Sequence, residues 1–338
     1  MRPNVRALQD DDRDTECMRR RDFLRGSSAV VAAATLGVPG FAKQPKRIDA
    51  EWYRRSRRFA SLPMSRVAYV EHGRGPAALF VHGFPLNGYQ WRGALERLAP
   101  YRRCIAPDVM GLGYTETPES QEITPETQVA MLAALLDSLH IDSVDLVAND
   151  SGGLVSQLFV ARHPDRVRTL LLTNCDVDEN NPPAAFVPMV NLAKKGLFTE
   201  KVLVPALNNK EQTRSAKGFG GQTYSYPERF ADETIEMYFR PLVETPLRKA
   251  QVDHYAVALG INVLVPIREN LRQWKRPARI VWGMKDTIFA PEWADWLDHN
   301  LPGSRGVRKV EDAMLFFPEE MPDVIAEEAK NLWGVGLQ

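Results

Sequence analysis

The stretch Leu146-Val147-Ala148-Asn149-Asp150-Ser151-Gly152-Gly153 sets a carboxylate and a hydroxyl side by side, between an apolar run and two glycines. A strand that enters a tight turn and leaves as a helix presents the apex residue of the turn beside free backbone N–H groups. The neighbours of that apex must be small, because the turn is strained and the helix packs close to the strand. Aligned on the strand end, the pattern puts Asp150 at the apex. Ser151 at the apex would leave Asn149 where a small residue is wanted. A strand–helix turn that holds no chemistry is the plain alternative. A carboxylate at such an apex either attacks an electrophilic carbon and forms an ester, or takes a proton as a base.

A second carboxylate, Asp286, follows the apolar run Arg279–Trp282 in a loop. Its plain reading is a helix N-cap ahead of Pro291. No Cys or His pair has metal-ligand spacing, so no metal or cofactor is implied.

The elements that must carry these residues alternate. Short apolar or alternating runs read as strands at Arg66–Glu71, Ala77–Val81, Arg103–Ala106, Val144–Ala148, Thr169–Thr173, Arg279–Trp282 and Val307–Val310. Helical spacing marks Thr127–Leu139, Leu154–Ala161, Pro291–Asn300 and Pro322–Trp333. Strands alternating with helices imply βαβ crossovers and a mostly parallel sheet covered on both faces. Between Asp178 and Arg272 strand runs vanish. Helical stretches dominate there (Phe230–Phe239, Val252–Asn270), so residues 178–272 read as a helical lid inserted between two parts of an α/β core, 43–177 and 273–338.

Phe80-Val81-His82-Gly83-Phe84-Pro85, Tyr89-Gln90-Trp91-Arg92, Cys104–Gly113, the turn at Asp150, Arg162–Val167 and Val281–Asp286 occur in an order and spacing that resemble the α/β-hydrolase superfamily, in its haloalkane dehalogenase and epoxide hydrolase branch. The resemblance implies an α/β-hydrolase fold with Asp150 as nucleophile and Asp286 as the catalytic acid. It implies an oxyanion hole from the backbone N–H groups of Phe84 and Ser151. Lid tyrosines would act on the substrate, with Tyr224, Tyr226, Tyr238 and Tyr255 as candidates, and Trp91 is a further candidate for substrate binding.

Two departures stand out. The branch carries a catalytic histidine after the last strand, where this chain has Leu315 in Glu311-Asp312-Ala313-Met314-Leu315-Phe316-Phe317-Pro318. Leucine accepts no proton, so ester formation proceeds and its hydrolysis stalls unless another base substitutes. Of the six histidines, His82 and His254 are the candidates, because the others fall near helix C-ends or in a hairpin turn. Second, dehalogenases hold halide with a Trp after the nucleophile and usually an Asn in the oxyanion loop. Here those positions are Ser151 and Phe84.

The N-terminus reads as an address. Arg19-Arg20-Arg21-Asp22-Phe23-Leu24-Arg25 precedes an apolar stretch of about 13 residues, too short for the roughly 20 that span a bilayer. Small residues follow to Ala42. The arginine pair with Phe-Leu after it resembles a twin-arginine signal, which implies removal of residues 1–42 and a periplasmic or extracellular location. Met18 is the expected true start, because Asp10-Asp11-Asp12 is foreign to a basic signal region.

Forty-three basic and 43 acidic residues in 338 give zero formal charge, no footprint for nucleic acid or an anionic membrane. The expected partner is a small apolar molecule bearing an electrophilic carbon (haloalkane, epoxide or ester). No integral membrane segment is expected after signal removal, and the oligomeric state is left open. Two other readings stand beside hydrolysis: a silent or ligand-binding member of the fold, and a lyase or isomerase using Asp150 as base.

Overall fold

The computed structural model describes residues 47–336. The expected signal segment lies outside the described residues. The chain forms β1 (Arg57–Ser61), β2 (Arg66–His72), β3 (Ala77–Val81), β4 (Arg103–Pro107), β5 (Val144–Ala148), β6 (Val167–Thr173), β7 (Ala278–Gly283) and β8 (Ser304–Val310). They make one sheet in the order β1-β2-β4-β3-β5-β6-β7-β8. From β4 to β8 neighbouring strands pair in parallel, and β1 and β2 add two antiparallel pairings at one edge.

The central strands β3 and β5 are buried along their whole length, as strands covered on both faces must be. Their one charged residue, Asp145, sits at the strand N-end. Its carboxylate receives Arg102 at 2.7 Å, Arg168 at 2.8 Å and the Thr169 hydroxyl at 2.9 Å. A buried charge is tolerated there because it is fully paired. The seven expected strands are present with ends shifted by no more than a few residues. β1 was not expected: Arg57-Arg58-Phe59-Ala60-Ser61 is a half-exposed edge strand and lacks an apolar run.

Between β6 and β7 the described chain contains helices and turns but no named strand. The expected helix Val252–Asn270 is not continuous. A helix starts at Pro246, capped by the Thr245 hydroxyl, and ends at Leu259 before Gly260. A second short helix begins only at Arg268. Phe230–Phe239 is likewise displaced, to Asp232–Val243. Strand β4 and the loop after β6 carry Cys104 and Cys175, both buried free thiols, with β3 and β5 between.

No helix among the described residues is long and apolar enough to cross a membrane. The C-terminal ends of β3, β5, β6 and β7 share one edge, which is where a parallel sheet builds its site.

Candidate active site

Asp150 lies two residues past the end of β5 and adopts φ 56°, ψ −136°, a positive-φ backbone that a side chain rarely accepts. The turn is kept by its neighbours. A Cβ on Gly152 would stand 2.4 Å from the Val81 carbonyl oxygen, and one on Gly153 would stand 2.3 Å from the Cys175 Cβ. Only glycine lets the helix Ser151–Arg162 start this close to β3 and to the loop after β6. The Asp150 N–H donates to the Asn174 carbonyl at 2.7 Å, which ties the turn to that loop.

The Phe84 N–H donates to Asp150 Oδ1 at 2.6 Å, and the Ser151 backbone N–H also bonds this carboxyl group. The two groups expected to form an oxyanion hole therefore converge on one carboxyl group. Side-chain amides fix the surroundings. The Gly83 N–H donates to Gln90 Oε1 at 3.0 Å, and Gln90 Nε2 donates to Asn149 Oδ1 at 2.6 Å. Asn149 Nδ2 donates to the carbonyls of Asn174 and Leu315, each at 3.1 Å.

Burial pushes the Asp150 carboxyl up to about 6, against the lowering effect of the N–H groups of Ser151 and Phe84. Asp286 is likewise pushed up to about 7 by burial, and the Asp150 charge adds to the rise. Asn174 Nδ2 at 2.8 Å and the Ile288 N–H at 2.8 Å donate to its two oxygens. Asp286 thus faces neutral donors where an imidazolium partner would have held it low.

A cavity of about 870 Å³ opens on Asp150. Its lining is largely apolar, with Phe84, Phe186, Phe198, Phe289, Leu315 and Phe316 prominent. Residues of the segment between β6 and β7 supply much of its wall. Leu315, 2 % exposed, stands in this lining where a histidine was sought. The described residues include all six histidines, and none lines the cavity.

Several expected site residues lie elsewhere. His82 is buried, its Nδ1–H donates to the Gly83 carbonyl at 2.9 Å, and its Nε2 accepts from the Val109 N–H at 3.0 Å. Both ring nitrogens are used and burial lowers its pKa, so His82 is a structural residue and not a substitute base. His254 is exposed on the helix Pro246–Leu259 and does not line the cavity, so it is not placed to serve as the substitute base. Trp91 is fully buried against Phe80 and does not reach the cavity.

The Tyr224 and Tyr238 hydroxyls each donate to Glu319 Oε2 at 2.8 Å, and Arg92 holds the other Glu319 oxygen at 2.7 Å. These phenols are committed to a buried ion pair. Tyr226 is half-buried under Arg229 and also off the cavity. Tyr255 alone is close to the chemistry. It packs on Phe84, and the Asp150 and Asp176 charges add to the rise that burial gives its phenol.

Sequence reasoning missed Asp176. It lies three residues past the end of β6, is 5 % exposed and lines the cavity with Asp150. Its position just beyond a strand C-end was the available signal. No motif marks it.

The alpha/beta hydrolase fold family matches residues 76–316. The chain is 25% identical over 288 residues to a cis-3-alkyl-4-alkyloxetan-2-one decarboxylase of Shewanella oneidensis, covering 81% of this chain and 87% of that one. It is 25% identical over 298 residues to haloalkane dehalogenase 2 of Mycobacterium tuberculosis, covering 82% and 92%. Among solved structures it is similar to an alpha/beta hydrolase fold protein from Burkholderia ambifaria, with a TM-score of 0.69 at 21% identity over 81% of this chain and 97% of that one.

Proposed function

The chain belongs to the alpha/beta hydrolase fold family and is an enzyme of it, and on that premise we propose that it hydrolyses a small apolar electrophile through an aspartyl ester on Asp150. The observation that carries this reading is the carboxyl group itself. It stands on a strained turn with Oδ1 engaged by the Phe84 N–H, and it faces an apolar cavity. The other oxygen, Oδ2, would make the attack. In the ester, the N–H groups of Phe84 and Ser151 would stabilise the oxyanion formed when water adds to the Asp150 Cγ. The residues between β6 and β7 act as a lid that supplies the apolar wall.

The electrophile is an epoxide, a haloalkane or an activated ester. The named relatives act on a strained cyclic ester and on haloalkanes, which fits attack at an electrophilic carbon. The protein reaches its substrate outside the cytoplasm, after twin-arginine export. One observation supports a second reading: an Asp150 pKa of about 6 also suits a general base of a lyase or isomerase.

Intact-protein mass tests the first reading. The mature chain is incubated with chloroalkanes, bromoalkanes, epoxides and activated esters beside Asp150→Asn. A mass adduct on Asp150, absent in the variant, is the expected result. Turnover with no covalent species at any time would favour the base. Export is tested separately by replacing Arg20 and Arg21 with lysine, which should keep the chain uncleaved.

A further inference from the structure

We infer that Asp176 is the acid–base catalyst of this site and takes the place that Leu315 leaves empty of a base. The inference rests on the reading of Asp150 as nucleophile. Three observations carry it. Asp176 and Asp150 line the same cavity. Their loops are bound together by the Asp150 N–H to the Asn174 carbonyl at 2.7 Å, and by the close approach of Gly153 to Cys175. Asp176 has no ion-pair partner among the described residues: Asn181 Nδ2 donates to Oδ1 at 3.2 Å, while nearby Asp178 takes Arg268.

The other carboxyl and phenol groups are less able to serve. Both Asp286 oxygens accept N–H bonds, and Asp286 is not in the cavity lining. Tyr255 also lies outside that lining, although its phenol feels both carboxylates. The groups facing Asp176 are Asp150 from the turn after β5, Tyr255 from the helix Pro246–Leu259, and Cys175 from its own loop. None is a cation. Burial and the Asp150 charge push Asp176 well above the usual carboxylate range. Two like charges sharing a buried site hold one proton between them. Two backbone N–H groups hold the Asp150 carboxylate, whereas Asp176 receives one side-chain amide, so the resting pair is an ionised Asp150 beside a protonated Asp176.

That arrangement runs both halves of the reaction. Asp150 Oδ2 attacks a ring carbon of an epoxide, the ring C–O bond breaks, and Asp176 gives its proton to the departing oxygen. The product is a neutral aspartyl ester carrying an alcohol, beside an ionised Asp176. Asp176 then takes a proton from water as the water oxygen adds to the Asp150 Cγ. The tetrahedral oxyanion collapses, the ester C–O bond breaks, and the leaving alkoxide takes the remaining acid proton from Asp150. Epoxide and water have become diol, and the pair is back to one proton on Asp176. A bromide needs no proton to leave, so the first half should proceed without Asp176. In the wild type the Asp176 proton then passes to solvent, because esterification removes the Asp150 charge that held it, and the ionised Asp176 serves the second half, which should not proceed without it.

The test uses the mature chain and its Asp176→Asn, Asp176→Glu and Asp150→Asn variants, with styrene oxide and butyl bromide as probes. With styrene oxide, Asp176→Asn should lower turnover at least about 100-fold, the lower end of what acid–base catalysis supplies, and Asp176→Glu should recover part of it. With butyl bromide, Asp176→Asn should form the Asp150 ester at the wild-type rate and then hold it. Diol formation by Asp176→Asn within about threefold of wild type, with Asp150→Asn inactive, would overturn the role of Asp176 and leave Asp150 as nucleophile. Wild-type diol formation by Asp150→Asn would instead overturn the nucleophile. A substrate-free readout guards against an inert probe: carboxyl-carbon NMR of the folded protein should show Asp176 titrating lower in Asp150→Asn, because the Asp150 charge that raises it is gone. An unchanged Asp176 titration in that variant would overturn the pairing.

Discussion

Replacing Asp150 by asparagine should stabilise the protein, and only above the pH at which the buried carboxyl ionises. The asparagine keeps the size of the side chain, and its oxygen can accept the Phe84 N–H that now sits 2.6 Å from Oδ1. What is removed is a buried charge. The rise of Asp150 from an ordinary 3.8 to about 6 corresponds to a cost of about 3 kcal/mol for the ionised form. Between those two values the folded protein keeps a proton that the unfolded chain has lost. Stability therefore falls as pH rises through that window, and above about pH 6 the full cost is present. Asp150→Asn loses this slope. The variant should be more stable by about 3 kcal/mol at pH 8, roughly 5–10 °C in melting temperature for a domain of this size, and nearly unchanged at about pH 4. Relief of the Asp150 charge on Asp286 and Asp176 acts in the same direction. Urea and thermal unfolding at the two pH values provide the measurement. A gain of equal size at both, or a loss at pH 8, would refute the claim that this carboxylate is held ionised at a cost.

In the Asp176→Asn background, Leu315→His should place an imidazole in the cavity wall and speed the decay of a preformed Asp150 ester by roughly 100-fold or more, read by single-turnover mass kinetics; unchanged decay would mean that this position does not face the ester. The same substitution should draw Asp286 down from about 7, because a histidinium gives it an opposite charge, and carboxyl NMR would show it. Gly153→Ala drives a methyl group into Cys175 and should cost roughly 1–3 kcal/mol in urea unfolding, with activity lost as the turn shifts. Asp145→Asn strips the charge that pairs Arg102 and Arg168 and should destabilise by roughly 3 kcal/mol, while the ester still forms in the folded fraction.

The sheet and the turn at Asp150 were legible because each has a residue requirement that few sequences meet by chance. β5 is a short run, apolar except for Asp145 at its N-end, and the turn needs the two glycines that let Val81 and Cys175 approach. The loss of the histidine could be read directly at Leu315. Side-chain partnership was not legible. A tyrosine in a helical segment does not announce that Glu319 already holds its hydroxyl, as it does for Tyr224 and Tyr238. His82 sits in a motif beside the site, yet the Val109 N–H and the Gly83 carbonyl use both of its nitrogens. Asp176 was invisible for the opposite reason. It belongs to no motif, and only the pairing of β5 with β6 brings its loop to the nucleophile. Helix limits between β6 and β7 failed where local caps decide them, at Thr245 and Gly260.

The central claim is that Asp150 becomes an ester whose carbonyl is attacked by water. It is tested most directly by turning over substrate in water carrying the heavy oxygen isotope and then weighing the peptide that contains Asp150. Attack at the Asp150 Cγ leaves the heavy isotope in that carboxyl group, so a heavier peptide is predicted, with no label in any other carboxylate. Product formed while the Asp150 peptide stays at its natural mass would contradict the account and assign the carboxylate to proton transfer instead.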